Sequence, residues 1–154
     1  MHTLVIKRDD LIAQQVIDLI AYHTKTAREQ TAPGSAHAMD IEQLRHSGIM
    51  FWTAWSGDAL CGMGALKIIG DHHAELKSFH TAAAFRRTGI GARLLDHIIS
   101  EARTMGVTRL SLETGSWPYF KPAVALYQAH GFVETGPFGD YKADPNSLFL
   151  TRSI

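Results

Sequence analysis

Disulfides, metal-binding motifs, a signal-peptide pattern and net charge are all missing from this 154-residue chain. Its single cysteine, Cys61, excludes an internal disulfide and suits a reducing compartment. Fifteen basic and fifteen acidic side chains cancel, so no overall field draws in nucleic acid or an anionic membrane. No apolar run approaches the ~20 residues that cross a bilayer, and Met1-His2-Thr3-Leu4 leads straight into strand-like sequence. The expected setting is the cytoplasm, with neither membrane nor nucleic acid as partner. No H-E-x-x-H or carboxylate spacing completes a metal site around His72-His73, so no metal is expected. Repeats, low-complexity tracts and linkers are absent too. Residues 1–154 therefore read as one domain with enough apolar residues for a core.

What is present is a regular alternation of strand and helix signals. Residues 3–7 read as a strand, and Asp9-Asp10 as the cap of a helix with Ile12, Val16, Leu19 and Ile20 on one face. Residues 27–39 lose that pattern and read as a loop, after which Asp40 caps a short helix through Leu44. Strands at 49–55 and 60–69 flank the hairpin turn Ser56-Gly57-Asp58, and Gly70-Asp71-His72 leads into a strand at 74–81. A helix at 89–105 presents Leu94, Leu95, Ile98, Ile99, Ala102 and Met105 on one face and ends at Gly106. A strand at 109–113, a helix at 123–129 and strands near Val133 and at 148–151 complete the chain. Trp52, Trp55 and Cys61 read as core residues. The order β-α-α-β-β-β-α-β-α-β-β predicts an α/β (α+β) fold with a mixed, mostly antiparallel sheet and helices on both faces.

The chemistry starts at Arg86-Arg87-Thr88-Gly89-Ile90-Gly91. A glycine-bearing turn between strand and helix leaves backbone N–H groups unpaired at the positive end of the helix dipole, where phosphate binds without a metal. Leu94 stands where a dinucleotide fingerprint needs its third glycine, and no Lys-Ser/Thr follows Gly91 to make a P-loop.

The run from Glu75 through Arg86, Gly89 and Gly91 to Leu95 resembles the acetyl-CoA-binding motif of the GNAT superfamily of N-acetyltransferases: Arg or Gln, two residues, Gly, one residue, then Gly or Ala. Ala123, Leu126, Tyr127, Gly131 and Phe132 match the family's A-x-x-L-Y-x-x-x-G-F pattern, and the resemblance extends over nearly the whole chain. Ser35-Ala36-His37-Ala38, Leu112-Glu113-Thr114-Gly115 and the run from Gly136 to Tyr141 are similar to a bacterial YsnE-like branch. In one departure, Phe120 stands where many members place a cofactor-contacting asparagine.

The resemblance implies the GNAT fold, with a central sheet of about seven strands, and acetyl transfer from acetyl-CoA to an amine by direct attack in a ternary complex. It implies that Arg86, Arg87, Thr88, Gly89, Ile90, Gly91 and Ala92 hold the pyrophosphate. Phe79, His80 and Thr81 would pair through their backbone with the pantetheine arm, one N–H polarising the thioester carbonyl. Tyr127 is then the general acid. Glu75, eleven residues before Arg86 as in some family members, is the leading general base. Glu113, at the end of the next strand, is the alternative base or the site that binds the acceptor amine. His80 is expected on the opposite strand face from Glu75 and Lys77. Arg28 and His37 fall in a segment that the family places over the acceptor, where an arginine would suit a carboxylate-bearing substrate. Trp117 belongs to an aromatic loop that shapes the acceptor pocket. The neutral net charge favours a small-molecule amine over a peptide, and exposed C-terminal edge strands admit a homodimer. A protein-directed acetyltransferase and a non-catalytic acyl-CoA sensor are the rival readings.

Overall fold

A computed structural model describes residues 3–46 and 48–154. Seven strands form one sheet: β1 (Leu4–Arg8), β2 (Ile49–Ser56), β3 (Ala59–Gly70), β4 (His73–Thr81), β5 (Arg109–Gly115), β6 (Val133–Thr135) and β7 (Ser147–Ser153), in the order β1-β2-β3-β4-β5-β7-β6. Every neighbouring pair is antiparallel except β4–β5. Tight turns suffice for the meander from β2 to β4, whereas the parallel step needs a crossover helix, which is α3 (Ile90–Thr104).

Helices cover both faces. Leu94, Leu95, Ile98, Ile99 and Ala102 of α3 pack with Leu66, Leu76, Leu110 and Leu112 of the sheet, and Tyr127 of α4 (Lys121–Ala129) joins the same core. On the other face, Val16 and Ile20 of α1 (Gln14–Glu29) and Leu44 of α2 (Ile41–Leu44) pack on Phe51, Met63 and Ala65. Asp40 caps α2 as expected, and Gln43 closes a reciprocal box with it. Trp52 and Cys61 are core residues.

Four expectations are corrected. Asp9-Asp10 does not cap α1, which starts after Ala13. Asp9 instead accepts from the Leu11 N–H (2.8 Å) and the Thr53 hydroxyl (2.9 Å), and Ile12 is 70% exposed. The helix then continues through Ala27 and Arg28 to Glu29, where a loop was expected. The apolar period fades there because the inner side lines a cavity rather than a core. Met105 falls past the last turn of α3 and is exposed.

The fourth correction has consequences for chemistry. A β-bulge interrupts the β3–β4 register: Lys77 pairs with Ala65, but His80 pairs with Met63. Ser78 and Phe79 thus face the single residue Gly64, and Ser78 takes a φ of 52°. The extra residue reverses the inside–outside alternation. Since Met63 and Ala65 both belong to the α1-side core, His80 joins Lys77 and Glu75 on that face instead of opposing them. Gly64 admits this crowding: a Cβ there would lie 2.6 Å from Ile98 Cδ1 and 3.1 Å from the Phe79 ring.

Candidate active site

The β4–β5 pairing stops at Leu76 and Leu112, although β4 runs on to Thr81 and β5 to Gly115. Past that point the two strands no longer share hydrogen bonds, and the edge of residues 77–81 is left without a neighbour on that side. A cavity of about 530 Å³ occupies this opening, lined by both strands, α1, α4 and the turn into α3. An open strand edge in a cavity is a set of spaced N–H and C=O groups suited to an extended, amide-bearing ligand.

The turn at 86–91 closes one end. Arg87 and Gly89 have φ of 61° and 83°, and no side chain caps α3. The first intrahelical bond runs from Arg93 N–H to Gly89 C=O, so the N–H groups of Ile90, Gly91 and Ala92 stay free at the positive helix end. Gly89 is required by its backbone angle, with nothing within 4 Å of an added Cβ. Gly91 is in close quarters, since a Cβ there would stand 3.0 Å from Thr81 Oγ1, which would have to give way. Arg86, Arg87, Gly89, Gly91 and Ala92 line the cavity. The Thr88 hydroxyl turns back to the Phe85 carbonyl, and Thr88 and Ile90 are not among the lining residues.

Phe79, His80, Thr81, Tyr127, Glu75, Glu113 and His37 line the same cavity. Tyr127 is 5% exposed and packs edge-on against Phe79 and Phe132. Burial, with the Glu113 charge, pushes its phenol well above the ordinary tyrosine range, so it keeps its proton at any working pH. Burial also pushes the Glu113 carboxyl up, reinforced by Glu75 and opposed by Ser147, His37 and Lys77. The nearby Ser147 hydroxyl meets no partner in hydrogen-bond geometry, and Glu113 has no ion pair among the described residues.

Glu75 is held differently. Only 4% exposed, its Oε2 accepts from the Tyr141 phenol (2.5 Å) and from Lys77 Nζ (3.2 Å), and Lys77 also donates to the Tyr141 oxygen (2.9 Å). Tyr141 has no role in the sequence reading, because 66 residues separate it from Glu75 and no local pattern joins them. Burial, then the Glu75 charge, pushes its phenol up. The His37 ring packs edge-on to Tyr141 at 5.1 Å, and Ser35 donates to Asp144 at 2.6 Å, tying the 30–39 segment to the 136–146 loop. On the α1 side, His80 Nδ1 lies 3.0 Å from His23 Nδ1. Burial lowers His80 to about 3 and His23 to about 4, so the pair is neutral.

Two expected substrate contacts lie elsewhere. Arg28 is exposed on α1 and does not line the cavity. Trp117 also stands outside, its indole N–H donating to Asn146 Oδ1 at 3.0 Å. Tyr119 and Phe120 supply the aromatic lining in its place. Phe120 lies so close over β5 that a Cβ on Gly115 would come within 2.1 Å of its ring.

Residues 17–132 match the model of the acetyltransferase (GNAT) family. The chain is 46% identical over 149 residues to YsnE of Bacillus subtilis (strain 168), described as an uncharacterized N-acetyltransferase, covering 97% of this chain and 99% of the relative. A solved, proposed acyl-CoA N-acyltransferase from Klebsiella pneumoniae superposes with a TM-score of 0.82 at 24% identity, covering 98% of this chain and 97% of the other. A Bacillus subtilis acetyltransferase solved in complex with CoA superposes with a TM-score of 0.73 at 19% identity, covering 99% of each chain.

Proposed function

The chain belongs to the acetyltransferase (GNAT) family, and from that premise we propose that it moves the acetyl group of acetyl-CoA to the primary amine of a small molecule within one ternary complex. The observation that carries this reading is a single cavity joining the free N–H groups at the head of α3, the open edge of β4, Tyr127 and Glu113. Unpaired backbone donors beside Arg86 and Arg87 fit a pyrophosphate, and the unpaired strand edge fits an amide-bearing arm. When bound, acetyl-CoA supplies an activated thioester acetyl group.

Each protein group then has a defined task. The turn at 86–92 binds the anionic end, and the backbone of 79–81 orients the arm. Glu113 receives the acceptor as an ammonium ion and takes its proton, a transfer favoured by its raised carboxyl pKa. Glu75 is the weaker candidate for base, because its Oε2 is already engaged by Lys77 Nζ and the Tyr141 phenol. Tyr127 would donate a hydrogen bond to the cofactor's sulfur, steadying a thiolate that leaves as the thiol with the second proton lost by the amine. Complete transfer of its proton to a thiolate of ordinary pKa ~8.5 would run uphill. The Ser35–Asp144 bond, which ties the cavity-lining 30–39 segment to the 136–146 loop, favours a small acceptor over a folded protein.

Incubating the protein with acetyl-CoA and a library of amines, and following free thiol and product mass, tests the reading. Amine-dependent thiol release is expected. Tight cofactor binding without release on any amine would instead mark a sensor.

A further inference from the structure

Burying a polar atom without a partner costs free energy unless a ligand completes it. Four buried side-chain atoms are in that state among the described residues, and three of them, Thr31 Oγ1, Ser78 Oγ and His80 Nε2, belong to residues that line the cavity. Thr31 and His80 are 6% and 8% exposed, and what remains accessible opens only to the cavity.

They belong to facing walls. His23, Ala27 and Thr31 recur every four residues along α1 and just past its end, forming one stripe toward the cavity. The bulged strand β4 turns His80 to the same side. Edge contacts from His23 and Tyr22, at centroid distances of 5.0 and 5.8 Å, fix the His80 ring. With Nδ1 engaged by His23, the free nitrogen is Nε2. It offers an N–H or a lone pair according to which ring donates, and a hydroxyl or amide can answer either. Ala27 leaves the space between the walls.

Charge narrows the ligand further. Glu75 and Glu113 are the carboxylates around this chamber and Lys77 its lysine, with the His37 imidazole beside Tyr141. Arg86 and Arg87 lie at the turn, and Arg28 lies outside. The histidine pair is neutral. An ammonium ion balances two carboxylates against one lysine, whereas a zwitterion would leave a buried negative charge uncompensated. Resting on the acetyl-transfer reading, we propose that the acceptor is a primary amine that carries a neutral hydroxyl or carboxamide, held by Thr31 Oγ1 and His80 Nε2, and no carboxylate. This replaces the carboxylate-bearing acceptor expected from Arg28.

Direct binding tests it without requiring turnover. Valine and phenylalanine scaffolds, each as amino alcohol, carboxamide, free acid and bare amine, are titrated calorimetrically into the protein with coenzyme A present. On at least one scaffold, the alcohol and carboxamide should bind about tenfold more tightly than both the acid and the bare amine. Thr31→Val should erase the advantage over the bare amine, while Thr31→Ser keeps it, and His80→Phe should erase it too. Equal or tighter binding of the acids, an advantage that survives Thr31→Val, or no binding by either series would overturn the proposal. A preserved preference without amine-dependent thiol release would support this subsite and count against acetyl transfer.

Discussion

The two ends of the cavity are built from different materials. At the end proposed to hold the cofactor, the free groups are mostly main-chain atoms of one continuous segment, the β4 edge and the turn into α3, with Arg86 and Arg87 beside them. At the end proposed for the acceptor they are side chains drawn together over long separations: 57 residues for His23 and His80, 66 for Glu75 and Tyr141, 109 for Ser35 and Asp144. Backbone recognition survives most substitutions that keep the turn. A side-chain chamber can be re-specified one residue at a time while the cofactor stays in place.

That contrast predicts separable defects. Glu113→Gln should cost the most, lowering acceptor kcat/KM by about 10²–10⁴-fold with acetyl-CoA affinity unchanged in a binding titration. Tyr127→Phe should lower kcat by about 10²-fold with little change in either KM, since its hydrogen bond matters only as the sulfur departs. The histidine pair makes the acceptor wall acid-sensitive. Both imidazoles titrate below their ordinary 6.5 in the folded chain, so on acidification the unfolded chain takes up protons first. Their contribution is complete above pH 6.5 and is lost as the pH falls toward about 4 and about 3. Denaturant midpoints should show up to about 1.4 kcal/mol lost per histidine per pH unit below 6.5, with a shallower slope in His80→Phe. Arg87→Ala should touch only the cofactor end, raising the KM for acetyl-CoA about tenfold at unchanged kcat. A defect that crosses from one end to the other would break the comparison.

The same contrast explains which parts of the molecule were legible in the sequence. Gly89 and Gly91 mark the turn because a positive φ favours glycine at the first and a close approach favours a small residue at the second. The apolar period of α3 and the Asp40 cap of α2 announced those helices. Local patterns failed where a distant partner decides. Asp9 binds Thr53 on another strand instead of capping α1. Residues 27–29 stay helical with a cavity beneath them. The bulge at Ser78 reverses a parity that strict alternation would have continued, and so hid the side on which His80 works. Tyr141 was invisible as a partner of Glu75 because nothing in its own segment requires one.

The central claim is that Glu113, and not the clamped Glu75, accepts the acceptor's proton. The pH dependence of acceptor kcat/KM in Glu113→Gln and Glu75→Gln, beside the unmodified protein, tests it most directly. Glu113→Gln should abolish the carboxylate limb, leaving a rate that climbs with pH until the amine deprotonates on its own, while Glu75→Gln keeps the limb. Loss of the limb in Glu75→Gln with its retention in Glu113→Gln would contradict the account.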